Sequence, residues 1–319
     1  MATATSAADA LMDPMVRLDG GTFQMGSDRH YPEEAPQHPV RVDGFWIDRT
    51  PVTNRAFAEF VRQTGHVTTA EIAPDPKDYP GALPEMCKPG SLLFRPTRGP
   101  VDLSDWSNWW EFCFGADWRH PYGPGSSIET LMDHPVVHVS HADAAAYASW
   151  AGKVLPTEAE WEYAAWGGLV GAEYAWGDEL EPDGQHRANV WQGHFPWENL
   201  CSDGFERTSP VGHFPANGFG LSDMIGNVWE WTEDWYRARH PAAKDKPCCI
   251  PTNPRGGPKS DSHDRCDSTP IPRKVVKGGS HLCAPNYCRR YRPAARHPQP
   301  IDSSASHIGF RCIRRQPAV

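Results

Sequence analysis

KGGSHLCAPNYCRRYRPAAR, residues 277–296, is the stretch on which the reading of this 319-residue chain turns. Cys283 and Cys288 stand five apart, and Ala284-Pro285-Asn286-Tyr287 between them contains turn formers. The chain can fold back there and bring both sulfurs together. Two thiols without a neighbouring carboxylate form a soft donor pair, suited to Cu(I) or to half of a zinc site. Arg289, Arg290 and Arg292 lie beside it, and positive charge there favours the thiolate. Spacing alone leaves a second reading open, two ordinary core cysteines in a loop.

Outward from this stretch the sequence is loop-rich. It carries 14 tryptophans, 32 prolines and 28 glycines. Tryptophan buries much surface but needs a partner for its N–H, so large aromatics are expected to pin irregular segments. Strands are predicted at Met15–Leu18, Thr22–Met25, Val40–Val42 and Phe45–Asp48, with Asp43-Gly44 as a hairpin turn between the last two. A helix capped by Thr53 carries Phe57, Phe60 and Val61 and closes at Gly65. Residues 70–130 read as mostly loop, with Trp106, Trp109, Trp110 and Trp118 clustered in it. A short strand, Val136–Val139, leads to a helix capped by Ser140 with Asp143. A further helix starts at Thr157 with Glu160 completing a capping box. Residues 176–236 show little periodicity, and residues 237–272 are polar enough to suggest a mobile insertion. Residues 1–14 read as disordered. The expected fold is α+β: one domain over 15–315 with low regular content.

Charge and cysteine usage limit the function classes. Net charge is −9, which argues against general nucleic-acid binding. From Ile271 onward, however, ten Lys/Arg face the single acid Asp302. Either this basic segment pairs with an acidic body, or it presents arginines in a cleft. No apolar run approaches the roughly 18 residues of a membrane span. The start, MATATSAADALMDPM, lacks a basic end and a hydrophobic run, so no secretory signal is expected. Nine cysteines, an odd number, suggest reduced thiols and a cytoplasmic location. Cys248, Cys249 and Cys266 form a weak candidate zinc set. His134 and His138 would lie about 13 Å apart on an extended strand, too far for one ion, so local hydrogen bonds are expected for them.

Two oxygen-rich stretches suit a hard cation such as Ca²⁺. One is Asn189-Val190 with Asp203-Gly204-Phe205; the other runs from Asp223 through Gly226 and Val228 to Glu230. The alternative is loop residues capping their own backbone.

The ordered motifs GGTFQMGS, PVTNRAFAEFV, HPVVHVS, AGKVLPTEAEWEYAA, YAWGDEL, ANVWQGHFP, NGFGLSDMIGNVWEWTEDW, KGGSHLCAPNYCRRYRPAAR and SSASHIGFRC resemble the formylglycine-generating enzyme (sulfatase-modifying factor) family over about residues 15–313. The resemblance implies a C-type-lectin-like fold, one catalytic Cu(I) and two structural Ca²⁺ ions. It implies Cys283 and Cys288 as copper ligands, with Ser280, Tyr287 and Trp229 in the active site. It places one calcium at Asn189, Asp203 and the carbonyls of Val190 and Phe205. The other falls to Asp223, Glu230 and the carbonyls of Gly226 and Val228. The implied reaction turns the cysteine of a Cys-x-Pro-x-Arg client, an unfolded sulfatase or similar polypeptide, into formylglycine. O₂ and an external thiol are co-substrates, and the client sulfur is expected as a third copper ligand. Ala148, Ala165 and Pro293 stand where vertebrate-like members carry cysteines, so both family disulfides are missing and Cys312 lacks a partner. Asp223 replaces a frequent asparagine. A non-heme iron sulfoxide synthase and a non-catalytic binding module are the alternative readings for this fold.

Overall fold

The first strand, β1 (Met15–Leu18), pairs antiparallel with β4 (Phe45–Asp48), and β4 also carries the last strand, β11 (Ile313–Arg315). The computed structural model describes residues 15–77, 83–241, 250–264 and 271–316. Between β1 and β4, β2 (Gly21–Met25) and β3 (His38–Val42) form a separate antiparallel pair. The predicted hairpin at Asp43-Gly44 is therefore a correction: its two strands belong to different sheets. A two-residue hairpin turn of the favoured type needs positive φ at both residues, and neither has it. Asn253 braces this corner instead, accepting from the Asp43 amide (2.9 Å) and donating to its carboxylate (2.7 Å).

The helices follow their local signals. In α1 (Asn54–Thr64), Thr53 accepts from the Ala56 amide and Gly65 closes the end in the left-handed region. Capping boxes at Ser140/Asp143 and Thr157/Glu160 start α2 (His141–Trp150) and α3 (Glu158–Trp166). Phe57 and Phe60 of α1 pack against Tyr147 of α2 and Phe310.

Two strand regions depart from expectation. Residues 70–130 contain a hairpin of β5 (Gly90–Phe94) and β6 (Trp110–Phe114). Its arms are separated by a long connection, so no short turn signal marks it. Val136–Val139, in contrast, is no strand. Its amides serve different segments, Val136 donating to Val52 and His138 to Ala305, and His138 sits at φ 59°.

The central sheet has the order β10-β7-β8-β9, built from β7 (Trp229–Trp235), β8 (Arg273–Lys277), β9 (Arg296–Pro300) and β10 (Ile308–Gly309). β7 escaped sequence reading because both its faces are buried. Trp229 and Trp231 are buried, and so are Glu230, Thr232 and Asp234, so no alternation of polar and apolar residues appears.

One core cluster joins α1, α2, β7, β8 and the two site cysteines. A second packs α3 against β1, β3 and β4. A third, with Phe94, Trp109, Trp191 and Phe195, takes in Leu282 and Ala284. The loop after β8 is thus wedged between the first and third clusters. The result is one compact α+β domain with short strands, three α-helices and several single-turn 3-10 helices among the described residues.

Of the expected mobile insertion, residues 250–264 lie against the body: Arg255 reaches Asp234 (3.0 Å) and the Gly257 amide donates to Trp235. Cys248, Cys249, Cys266 and residues 1–14 lie outside the described residues.

Candidate active site and metal positions

Gly278 and Gly279 end β8 with φ of 94° and 72°. A side chain on Gly279 would meet the Arg290 carbonyl at 2.9 Å and the Tyr291 amide at 3.0 Å. Glycine therefore lets the two limbs of the loop touch. The return limb is held by the Ala284 carbonyl, which accepts from the amides of Tyr287 (3.1 Å) and Cys288 (2.8 Å). The predicted turn forms, and it brings the Cys283 and Cys288 sulfurs to 3.3 Å. That is far beyond a disulfide bond and fits a shared S–H···S contact; both cysteines are free and buried.

The two sulfurs are electrostatically unequal. The hydrogen bond from Cys283 lowers the Cys288 pKa against the effect of burial, and the Arg290 guanidinium, 3.8 Å from Cys288 Sγ, lowers it further. Burial and the neighbouring sulfur push the Cys283 thiol up. The pair thus favours one thiolate, at Cys288, and one thiol. Of the three arginines singled out in the sequence, only Arg290 touches a sulfur. It is aimed by Glu33, which accepts from its Nε (3.0 Å) and Nη2 (2.6 Å), and it lies 3.9 Å over the Tyr31 ring. Arg292 is taken up by Glu34, and Arg289 by Tyr174 and Glu173. Nothing local in the sequence marks Tyr31 or Glu33 as partners, since Glu33 stands 257 positions from Arg290.

Ser280 is wholly buried and shapes the sulfur position. Its amide donates to Cys283 Sγ (3.4 Å), its carbonyl accepts from the Cys283 amide and its hydroxyl accepts from the Leu282 amide. Tyr287 is 37% exposed and close enough to both sulfurs that burial and then the sulfurs push its pKa up to about 12. Its ring stacks on Phe195 (4.5 Å) and meets Trp109 edge-on (5.2 Å). Trp229 is buried in the same cluster as the sulfurs, with His297 against its ring. A soft ion fits this donor set: two buried sulfurs, one disposed to be thiolate, with the Ser280 amide and the Arg290 guanidinium donating to them.

Asn189 and Asp203, the first hard-cation set, are both buried. Asn189 spends its amide N–H on the Arg207 carbonyl (2.7 Å). Asp203 Oδ1 accepts from the Phe205 amide (2.9 Å), whereas Oδ2 is buried with no hydrogen-bond partner. Burial raises the Asp203 pKa. An orphaned carboxylate oxygen is the group a hard cation would satisfy, so this set fits one. In the second set, Asp223 accepts from the Gly212 amide (2.6 Å). Glu230 gives both oxygens to Arg311 and one also to Trp161 Nε1, all at 2.7 Å. What remains there for a cation is Asp223 and the carbonyls of Gly226 and Val228.

His134 and His138 are hydrogen-bonded, but their partners are distant in sequence and not local: Thr208 for the first, Ser91 and Pro121 for the second. Among the described residues no group of three His, Cys, Asp or Glu converges as a metal site.

Comparison with known proteins gives this geometry its context. Residues 2–316 match the model of the sulfatase-modifying factor enzyme 1-like domain. The chain belongs to that family. It is 53% identical to the formylglycine-generating enzyme of Mycobacterium tuberculosis, over 95% of this chain and 98% of that one. It is also 44% identical to an inactive C-alpha-formylglycine-generating enzyme 2 of Bos taurus, over 93% of this chain and 87% of the relative. Relatives of this chain thus include one named as a formylglycine-generating enzyme and one named as inactive. The solved structure of PvdO from Pseudomonas aeruginosa shares the fold, with a TM-score of 0.62, 23% identity and 95% of each chain covered.

Proposed function

We propose that this protein is a formylglycine-generating oxidoreductase that converts a client cysteine, in a Cys-x-Pro-x-Arg segment of a sulfatase-type polypeptide, to formylglycine. The observation that carries the reading is the sulfur pair, 3.3 Å apart and buried, in a chain 53% identical to a formylglycine-generating enzyme. Family membership alone would not suffice, given the inactive relative.

Cys283 and Cys288 are the residues that would hold Cu(I). Such an ion supplies the one-electron chemistry with O₂ that side chains lack. Arg290 holds negative charge on Cys288, and Ser280 fixes the direction of Cys283. Tyr287, Phe195 and Trp109 exclude water from one side, while Trp229 closes the packing beneath. The client enters as an unfolded segment, which can present its cysteine to two sulfurs that are themselves buried.

The reaction balances with an external thiol as reductant. The client CH₂SH, one O₂ and two thiols give the aldehyde, hydrogen sulfide, a disulfide and water. Asn189, Asp203 and the carbonyls of Val190 and Phe205 are the residues that would hold a structural calcium. A second would rest on Asp223 and the carbonyls of Gly226 and Val228, with Glu230 held beside them by Arg311 and Trp161. Keeping two thiols this close unbonded suits a reducing compartment, and we place the enzyme in the cytoplasm. No helix among the described residues is long and apolar enough to cross a membrane.

The deciding experiment incubates a Cys-x-Pro-x-Arg peptide with the enzyme, Cu(I), a thiol and air, and reads the peptide by mass. The expected change equals the exchange of CH₂SH for CHO. Cys283→Ser and Cys288→Ser each abolish it and weaken Cu(I) binding against a competing chelator, with an unchanged circular dichroism spectrum. Full aldehyde yield from either variant would overturn the copper assignment.

A further inference from the structure

We infer that the outer edge of β6 is a main-chain docking strip, onto which the client polypeptide adds as an extra strand on its way to the sulfurs. This rests on the client reading above and adds the surface that would hold the client. On the far side of β5, the Leu92 amide donates to Ser304 (3.2 Å) and the Leu92 carbonyl accepts from Ser306 (3.0 Å). Leu92 therefore faces away from β6. Its cross-strand partner Phe112 must then face away from β5, because opposed residues in an antiparallel pair turn their polar groups the same way, both inward or both outward. The Arg95 amide donates to the Trp109 carbonyl (2.9 Å), which fits the same alternation. The N–H and C=O groups of Trp110, Phe112 and Phe114 thus point out of the hairpin, and among the described residues no strand pairs there.

Sheets commonly blunt such an edge with lysine, proline or a bulge. β6 has none of these in Trp110-Glu111-Phe112-Cys113-Phe114, and its one acid, Glu111, is paired with Arg95 (2.8 Å). Phe112 and Phe114 are 44% and 43% exposed.

The edge begins at the site itself. Trp109 lies against Tyr287, and Trp110 lies 4.6 Å from His307, whose carbonyl accepts from the Trp229 amide. From Trp110 the strip runs about 13 Å to Phe114. An unfolded segment leaving water needs partners for its main chain, and an open edge supplies them in any sequence context. The alternation also accommodates the motif. In an extended Cys-x-Pro-x-Arg segment, Cys, Pro and Arg share one edge and the x residues the other. The proline, which has no N–H, then falls on the outward side when the x residues face β6.

The test uses a long motif peptide with its cysteine replaced by serine, and fluorescence anisotropy on the intact enzyme. Phe112→Pro removes an outward N–H that the β5 ladder does not use, while Phe112→Ala keeps it and removes the ring. Phe112→Pro is expected to weaken binding about five- to tenfold, the worth of one hydrogen bond, and Phe112→Ala clearly less. Equal binding by the proline variant, or equal losses in both, would overturn the proposal. Native enzyme with peptides N-methylated at successive flanking amides provides a readout free of folding effects. Losses that alternate along the peptide support the strand, and uniform or absent losses refute it. Aldehyde formation from a minimal peptide by the native enzyme reports separately on the function itself.

Discussion

Three neighbouring basic positions show how much one residue's surroundings decide. Arg289, Arg290 and Arg292 are equivalent as text, yet only Arg290 reaches Cys288. The other two are taken up by Tyr174, Glu173 and Glu34. Histidine gives a second case, with a pH consequence. His138 Nε2 donates to the Pro121 carbonyl (2.9 Å), so its Nδ1 accepts from Ser91 (2.7 Å). Burial pushes its pKa down to about 4. In the unfolded chain an imidazole titrates near 6.5, so as pH falls the unfolded state takes up the proton first. Neutral His138 therefore contributes stability that is complete above about pH 6.5 and lost as pH falls towards 4, up to about 3 kcal/mol. Urea unfolding between pH 7 and 4.5 checks this. His138→Asn, which tolerates the left-handed backbone, should flatten the acid decline by about one proton's worth. An unchanged slope would refute the assignment.

At the scale of elements, legibility followed locality. The boxes at Ser140/Asp143 and Thr157/Glu160 span three residues, and the structure closes both. The turn at 284–287 was legible for the same reason. The β5–β6 hairpin and β7 were not: one lacks a short turn and the other is buried on both faces. The loop after β8 is the element on which the site depends. Gly279→Ala forces a left-handed backbone on a Cβ residue and drives its methyl into the Arg290–Tyr291 backbone. We expect a loss of about 1–3 kcal/mol in thermal unfolding, with a larger loss of aldehyde formation, because the two cysteine limbs part. Wild-type stability and turnover would show that the limbs do not need this contact.

Across the whole molecule, the basic C-terminal segment proves to be mostly internal pairing. Lys277 meets Glu162, Arg292 Glu34, Arg296 Glu158, Arg311 Glu230 and Arg315 Glu160. These contacts sew the late strands to the N-terminal loop, α3 and β7. Because each pair is buried in whole or part, removing one partner leaves a costly unpaired charge. The orphaned Asp203 Oδ2 gives a global test of the first calcium position. Excess Ca²⁺ should raise the melting temperature of chelator-treated protein on the order of 5 °C, and Asp203→Ala should remove the part of that rise that belongs to the first position. An identical response in that variant would move the cation elsewhere.

What the chain determined by itself was everything carried by near neighbours: the caps, the soft pair at Cys283 and Cys288, the oxygen-rich stretches and the family-wide order of motifs. The tertiary structure alone decided that Glu33 would aim Arg290, that Glu230 would answer Arg311, and that β6 would stand open beside Tyr287. The physical reason is range. Backbone sterics and capping act over a few residues, whereas charge pairing and strand adjacency depend on which distant segments the core brings together.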